Sequence, residues 1–450
     1  MTALLAAVLV ASAPVARPAL AAPAHGSHGS LPFVADDYPA ALARAKAQHK
    51  PLFIDFWATW CHSCLSMQRF VLSDPGMKPV AKQVIWLSIE TETERNKAVV
   101  DKFPLDGWPT FLVIDPGSEK VLGRWLGSGS VQELRGFVQD ATLAYQGQSG
   151  DPAAVAQRAG DEARIQGDLA ASAAAYGEAV GASKQKDARR PERMTLYVSA
   201  LRKLKTPEAL RTCVQLGLKE IDATPDTAVA ADFASYVDDC GAALPKGDPD
   251  AAQVRERATA RITALLAKPS AQLAADDRSD ALATLSGMLE EAGKHDESKA
   301  RMQERAQVLE AAAQAAPDVA LASTFDAHRT DTYLALGQPE KAEKMLAARE
   351  IEVPSDYNPP ARLARVYLEE GRLPDAEAAV DRALKLMTRG QRRVGVLGLK
   401  AKILTAEGKP VREVLQEQLE VLRGLPQSQR NPASESKIEA QLATKTAATK

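Results

Sequence analysis

Two rhythms of apolar and polar residues divide the chain. Over residues 37–146 short apolar runs alternate with helical stretches, and beyond them helical periodicity persists to about Leu422. Residues 40–48 are Ala-rich helix formers stopped before Pro51. Residues 52–57 (Leu-Phe-Ile-Asp-Phe-Trp) have the pattern of a buried strand, as do residues 84–89. Between them, residues 61–72 can form a helix. Thr91 and Glu94 have capping-box spacing and predict a helix to about Lys102. Strands at 110–114 and 121–126 flank the turn signal Asp115-Pro116-Gly117-Ser118, and residues 130–145 form a closing helix. The order of elements is that of a mixed α/β sandwich.

Behind the linker at 147–152, β-branched runs almost vanish and alanine is abundant. Tyr333, Gly337 and Ala342 reappear 34 residues later as Tyr367, Gly371 and Ala376. Weaker copies surround Gly167 (with Tyr176 and Ala179), Gly293 and Gly408. A 34-residue helix–turn–helix period resembles the tetratricopeptide repeat, with Gly closing the turn and Ala admitting a close helix neighbour. The expectation is an all-α, tetratricopeptide-like solenoid over residues 153–426, followed by a frayed polar tail at 427–450.

Composition narrows the function. The 450 residues are 45% hydrophobic and 25% charged, in the globular range, and a chain of this length needs more than one core. A net charge of -2 gives no reason to expect nucleic acid or an anionic membrane as partner. The basic run Arg389, Arg392 and Arg393 reads as a solvated helix face. Residues 4–13 are a short apolar run broken by Pro14, and Ala19-Leu20-Ala21 offers small residues for signal cleavage. No Lys or Arg precedes that run, so a start upstream of Met1 or a merely Ala-rich terminus is the competing reading. The run is too short to span a bilayer, as is every later segment. The expectation is a signal peptide at 1–21, a flexible linker at 22–36 and a soluble periplasmic or secreted protein. His25 and His28 read as part of that linker, and no metal site or cofactor is expected.

The candidate chemistry lies in Trp60-Cys61-His62-Ser63-Cys64, which follows a strand and begins a helix. Half a zinc site has the same Cys spacing, but Cys213 and Cys240 do not supply the second half. A cysteine at a helix N-terminus meets the positive end of the peptide dipoles and unpaired N–H groups, which favour thiolate over thiol. Cys64, one turn on, is placed to close on Cys61. A carboxylate inside an apolar strand, as Asp55 is, has the raised proton affinity that general acid/base work near neutral pH requires; a buried Asp capping local backbone is the alternative. Cys213 and Cys240 lie 11 residues before and 14 after the turn Thr224-Pro225-Asp226. An antiparallel hairpin could bring them into a structural disulfide, and two separate buried thiols are the other reading.

Residues 53–61 (Phe-Ile-Asp-Phe-Trp-Ala-Thr-Trp-Cys) resemble the strand and active-site stretch of the thioredoxin superfamily, and Gly107-Trp108-Pro109-Thr110 stands where that family places its cis-proline loop. The closer resemblance is to the C-terminal periplasmic domain of the thiol:disulfide interchange protein, through residues 41–46, Lys50-Pro51 and Leu72-Ser73-Asp74-Pro75. It covers residues 37–145 and implies a thioredoxin-like domain over 37–146. It also implies that Cys61 attacks, Cys64 resolves, and Asp55 moves the proton of the inner thiol. Trp60, Trp108, Pro109 and Thr110 would contact substrate, the backbone at Trp108 pairing with an extended strand. His62 and Ser63 replace the Gly-Pro of thioredoxin and would tune the couple. Leu65 replaces a Lys common in the interchange branch, and Trp86 stands near where many thioredoxins bury a Lys beside the Asp. The implied activity is protein-disulfide oxidoreduction on client protein thiols, with electrons exchanged through a separate redox partner and a protein partner on the repeat surface. A repeat scaffold or adaptor with a non-catalytic docking domain is the second reading.

Overall fold

The computed structural model describes residues 31–447 apart from 104, 106, 149, 270 and 272. The expected signal peptide, His25 and His28 lie outside the described residues. Among the described residues five strands make one sheet in the order β1-β3-β2-β4-β5: β1 (Val34–Ala35), β2 (Leu52–Trp57), β3 (Ile85–Glu90), β4 (Thr110–Ile114) and β5 (Val121–Leu126). β1 and β2 run parallel to β3, whereas β4 is antiparallel to β2 and β5. Part of the stretch expected as linker is therefore ordered: β1 pairs with β3, and Leu31 is buried.

Strand alternation divides the core between the two faces. Leu52, Ile54 and Phe56 pack with Ile85, Leu87 and Ile89 against α1 (Tyr38–Gln48) and, further along the chain, α3 (Lys97–Lys102). Asp37 starts α1 by accepting from Ala40 N at 3.0 Å, and His49 closes it in the left-handed region at φ 50°. On the opposite face Phe53, Trp86, Phe111 and Trp125 pack beneath α2 (His62–Ser66), its continuation, and α4 (Val131–Tyr145). Ser130 and Glu133 form a capping box at the start of α4.

Two local expectations change. Thr91 does not cap a helix. Its hydroxyl donates to Trp57 O at 3.0 Å and accepts from Trp108 Nε1 at 3.1 Å, so it ties the end of β2 to the proline loop. A 3₁₀ turn at Glu94–Asn96 then leads into α3. Residues 427–450, expected as a frayed tail, contain the helix Pro432–Ala447. Asn431 caps it by accepting from Ala433 N at 3.0 Å, and Ile438 and Leu442, one turn apart, pack on the preceding helix Arg412–Arg423.

Paired helices fill the chain from Pro152–Ile165 onward, and none among the described residues is long and apolar enough to cross a membrane. The 34-residue period is visible atom by atom. In one hairpin Gly337 N and Gln338 N return to Leu334 O and Tyr333 O at 3.0 and 2.8 Å. In the next, Gly371 N and Arg372 N return to Leu368 O and Tyr367 O at 3.1 and 2.8 Å. Both glycines have positive φ, 67° and 73°, which a side chain would oppose. Ala342 and Ala376, fully buried, let the second helix of each pair approach the first.

A disulfide joins Cys213 on the helix Pro207–Glu220 to Cys240 on Ala228–Ala242, with Cα atoms 6.2 Å apart. Closing that loop, with a sequence separation of 27, removes chain entropy from the unfolded state worth about 3.5 kcal/mol. The Cys213→Ala/Cys240→Ala protein is expected to unfold at lower urea with a loss of that order, followed by far-UV circular dichroism; an unchanged midpoint refutes it.

The repeat region also closes the sheet. β5 is an edge strand, and Asp161 of the helix Pro152–Ile165 accepts from Arg124 N at 3.1 Å and from the Tyr176 hydroxyl at 2.8 Å. Asp161 is completely buried, and that burial, opposed by the Arg124 charge and the Tyr176 bond, pushes its carboxyl up to about 7. The folded state therefore holds a proton that the unfolded chain releases above about pH 4, so this contribution to stability declines as pH rises from about 4 to 7. Asp161→Asn, which mimics the protonated acid, should flatten that slope. Urea midpoints at pH 5 and pH 8 that shift equally in wild type and variant would contradict it.

Candidate redox site

β2 runs into a short loop that ends at Cys61, the N-cap of α2. Cys61 Sγ is bonded to Cys64 Sγ, with Cα atoms 5.2 Å apart. Cys64 N points at Cys61 Sγ at 3.1 Å, and Leu65 N donates to Cys61 O at 3.1 Å. One orphan donor of the helix N-terminus, Cys64 N, is thus directed at the Cys61 sulfur, while Leu65 N begins the helical ladder. Ser63 Oγ lies 3.6 Å from the same sulfur. The helix expected over 61–72 is present in two pieces, α2 and a π-helical continuation at Met67–Leu72.

That π-helical turn carries Gln68. Asp55, fully buried in β2, faces the side of the sheet that α2 covers, and Gln68 Nε2 donates to its Oδ2 at 2.9 Å. Directly across from Asp55 are Ser88 on β3 and Phe111 on β4. Trp86 lies two pairs further along, opposite Phe53, with its ring centroid 4.6 Å from that of Phe53 and its Nε1 donating to Ala81 O at 2.9 Å. One polar partner of Asp55 is therefore an amide from the helix that follows the cysteines. A glutamine seven residues after Cys61 carries no chemical signature in a sequence, which is why the pairing was not expected.

The Trp108–Pro109 bond is cis. Thr110, buried, fastens the loop by donating to Gly107 O at 2.8 Å. The Trp108 ring lies edge-on to Trp60, centroids 5.3 Å apart, and both pack on the small cluster of Trp57, Ala58, Cys61 and Cys64. Asp55, Cys61, Cys64, Trp60, Trp108, Pro109 and Thr110 are thus gathered at one end of the sheet. Cys213 and Cys240 lie apart from them in the repeat core.

The repeat region lies over this site. Cys61 is 3% exposed and Cys64 1%. Around the rim, Ser66 Oγ donates to Asp276 at 2.7 Å, Arg69 pairs with Asp318, and Asn358 Nδ2 donates to Thr59 Oγ1 at 3.3 Å. Glu92 accepts from the Tyr357 hydroxyl at 2.7 Å and from Arg392 N at 3.0 Å. Burial raises Glu92 above the usual carboxylate range despite these bonds. Sequence separations above 200 residues hide all these contacts from local pattern.

His62 makes the most concentrated contact. Its Nε2 lies 3.1 Å from Asp280 Oδ2, while His328 Nε2 lies 3.2 Å from Asp280 Oδ1. The two imidazole centroids are 3.6 Å apart. Burial first, then the neighbouring His62 charge, depresses His328 to about 3, so its imidazole is neutral at pH 7. Burial works to raise Asp280, but the His62 hydrogen bond and the charges of His328, His62 and Arg305 outweigh it and hold Asp280 below the ordinary range. Asp280 also lines a cavity of about 240 Å³ with Ser128, Asp232, Tyr236 and Asp277. There burial, then repulsion from Asp280 and Glu133, pushes Asp232 up to about 7.

A family model described as thioredoxin-like matches residues 34–116. The thiol:disulfide interchange protein DsbD of Salmonella typhi is 31% identical over 149 residues, 31% of this chain and 24% of that protein. DsbD 1 of Pseudomonas aeruginosa is 31% identical over 103 residues, 21% of this chain and 17% of its own length. The chain thus spans about a quarter or less of the curated relatives named here. A tetratricopeptide repeat protein from Parabacteroides merdae aligns with 65% of this chain and 98% of its own, at 13% identity and a TM-score of 0.41. The segment bearing Cys61 and Cys64 is a thioredoxin-like domain, fused to a region of helical repeats.

Proposed function

We propose that this chain is an exported protein-disulfide oxidoreductase. The carrying observation is the Cys61–Cys64 bond at the start of the active-site helix, set against the Trp108-Pro109 loop with Asp55 and Gln68 behind it. In the reduced protein the Cys61 thiolate attacks one sulfur of a client disulfide; a mixed disulfide forms and the other client sulfur leaves as a thiolate. Cys64, its proton accepted through Asp55, then attacks Cys61 Sγ, which restores the Cys61–Cys64 bond and releases the second client thiol. Two electrons have passed to the client, and a separate dithiol partner returns them. The interchange activity named for the relatives supports this chemistry, and the apolar N-terminal run supports a periplasmic or secreted setting. The repeat region, which reaches the rim of the site through Asp276, Asp318 and Asn358, governs access and offers the surface for a protein partner. The burial of both sulfurs favours one competing reading, a scaffold whose disulfide is only structural.

The purified full chain is expected to catalyse reduction of insulin by dithiothreitol, and Cys64→Ser to trap covalent complexes with client proteins on non-reducing gels. Absence of turnover, with reduced Cys61 alkylated no faster than glutathione, would leave the scaffold reading standing.

Access is testable separately. Hydrogen bonds across the rim contribute about 1 kcal/mol each, so removing two shifts the opening equilibrium roughly 10- to 30-fold. Ser66→Ala/Tyr357→Phe should accelerate iodoacetamide modification of reduced Cys61 by that factor, read by mass spectrometry. An unchanged rate means the rim does not control entry.

A further inference from the structure

We propose that His62, Asp280 and His328 form a binding site for a divalent transition cation of the zinc class, held between the redox domain and the repeat region. Nitrogen donors come from α2 and from the helix Asp326–Ala335, and the carboxylate from the helix Ala275–Glu291. One ligand atom from each residue can be chosen so that all lie within 4.8 Å of one another. His62 Nε2 and His328 Nε2 lie 3.1 and 3.2 Å from different oxygens of Asp280, Oδ2 and Oδ1, so the carboxylate sits between the two imidazoles and can offer an oxygen to an ion held by both. Two imidazoles and one carboxylate leave a fourth position for water, and imidazole selects zinc-like ions over magnesium or calcium.

The surroundings fit a cation on two further counts. His328 is held from behind: its Nδ1 lies 2.9 Å from Ser279 Oγ, and that oxygen accepts from Arg305 Nε at 2.8 Å. Such an outer hydrogen bond fixes the ring and directs the Nε2 lone pair inward. Asp280 is reached from the cavity it shares with Asp232 and Asp277, whose carboxyl oxygens line the approach. The histidine between the two cysteines thereby acquires a role that thiol exchange does not require. Because the ligands come from both regions, binding also favours the closed arrangement over the open one.

The test uses the oxidised full chain, whose cysteines are all in disulfides and cannot ligate, so its outcome is independent of any oxidoreductase activity. Zinc(II) calorimetry is expected to show one equivalent bound with a dissociation constant of about 1 μM or tighter, and cobalt(II) to give visible d–d absorption that zinc displaces and magnesium does not. His62→Ala and Asp280→Asn, at half-exposed positions, should each weaken binding at least ~100-fold, and Ser279→Ala roughly 10- to 100-fold, with folding checked by circular dichroism. Absence of binding overturns the proposal: the three side chains are then a hydrogen-bonded latch. Binding that survives both His62→Ala and Asp280→Asn but is lost in His25→Ala/His28→Ala also overturns it, by placing the ion near the N-terminus.

Discussion

The redox domain depends on one constraint, the two-residue alternation of β2 at the centre of the sheet. All six side chains of the strand are buried, so each must suit the layer it enters. Leu52, Ile54 and Phe56 fill one layer with hydrocarbon. Phe53 does the same on the other side, but the next position on that side is Asp55, a carboxyl inserted beneath the active-site helix. A shift by one residue would send Asp55 to the opposite layer, away from the helix that carries Cys64 and Gln68. The strand ends where the chain must turn, and that turn delivers Cys61 to the helix N-terminus. Packing and chemistry are therefore set by the same register.

The repeat region acts on the opposite end of the problem. A thioredoxin-like domain needs an open rim to meet an extended client, yet here the rim bonds of Ser66, Thr59 and Glu92 are made within the chain. The acids along this contact are crowded: burial first, then repulsion from Asp276, Asp232 and Asp280, raises Asp277 well above its ordinary range. Burial and crowding favour the protonated form of these acids, which relieves the repulsion among them. The contact thus combines specific hydrogen bonds with acids whose proton uptake the closed arrangement favours.

Much of the redox domain was legible in the residues. Short apolar runs marked the strands, and the Cys spacing at a strand–helix junction marked the chemistry. The 34-residue recurrence of Tyr, Gly and Ala located two hairpins whose turns are superimposable bond for bond. What was not legible had no local signal. Thr91 and Glu94 matched a capping box in spacing, but Thr91 sits between Trp57 and Trp108, whose nearness only the fold creates. The polar stretch at 427–450 hid a helix because two apolar residues, Ile438 and Leu442, suffice to dock it on a neighbour. His62, Asp280 and His328 stand so far apart in the chain that no spacing rule links them.

The carboxyl of Asp161 beneath Arg124 bears on where this chain can be cut. It occupies one backbone donor on the edge of β5, where an unpaired edge invites pairing with other molecules. Leu126 from the same strand packs into the apolar core of the first repeats. The homology boundary at residue 116 and the physical boundary of the folding unit therefore differ. Dissected at the linker, the N-terminal piece would present a bare backbone edge beside exposed hydrocarbon, a surface prone to self-association. The helical repeats thus cover part of the edge of the oxidoreductase-like sheet, a duty of insulation distinct from any recognition they perform.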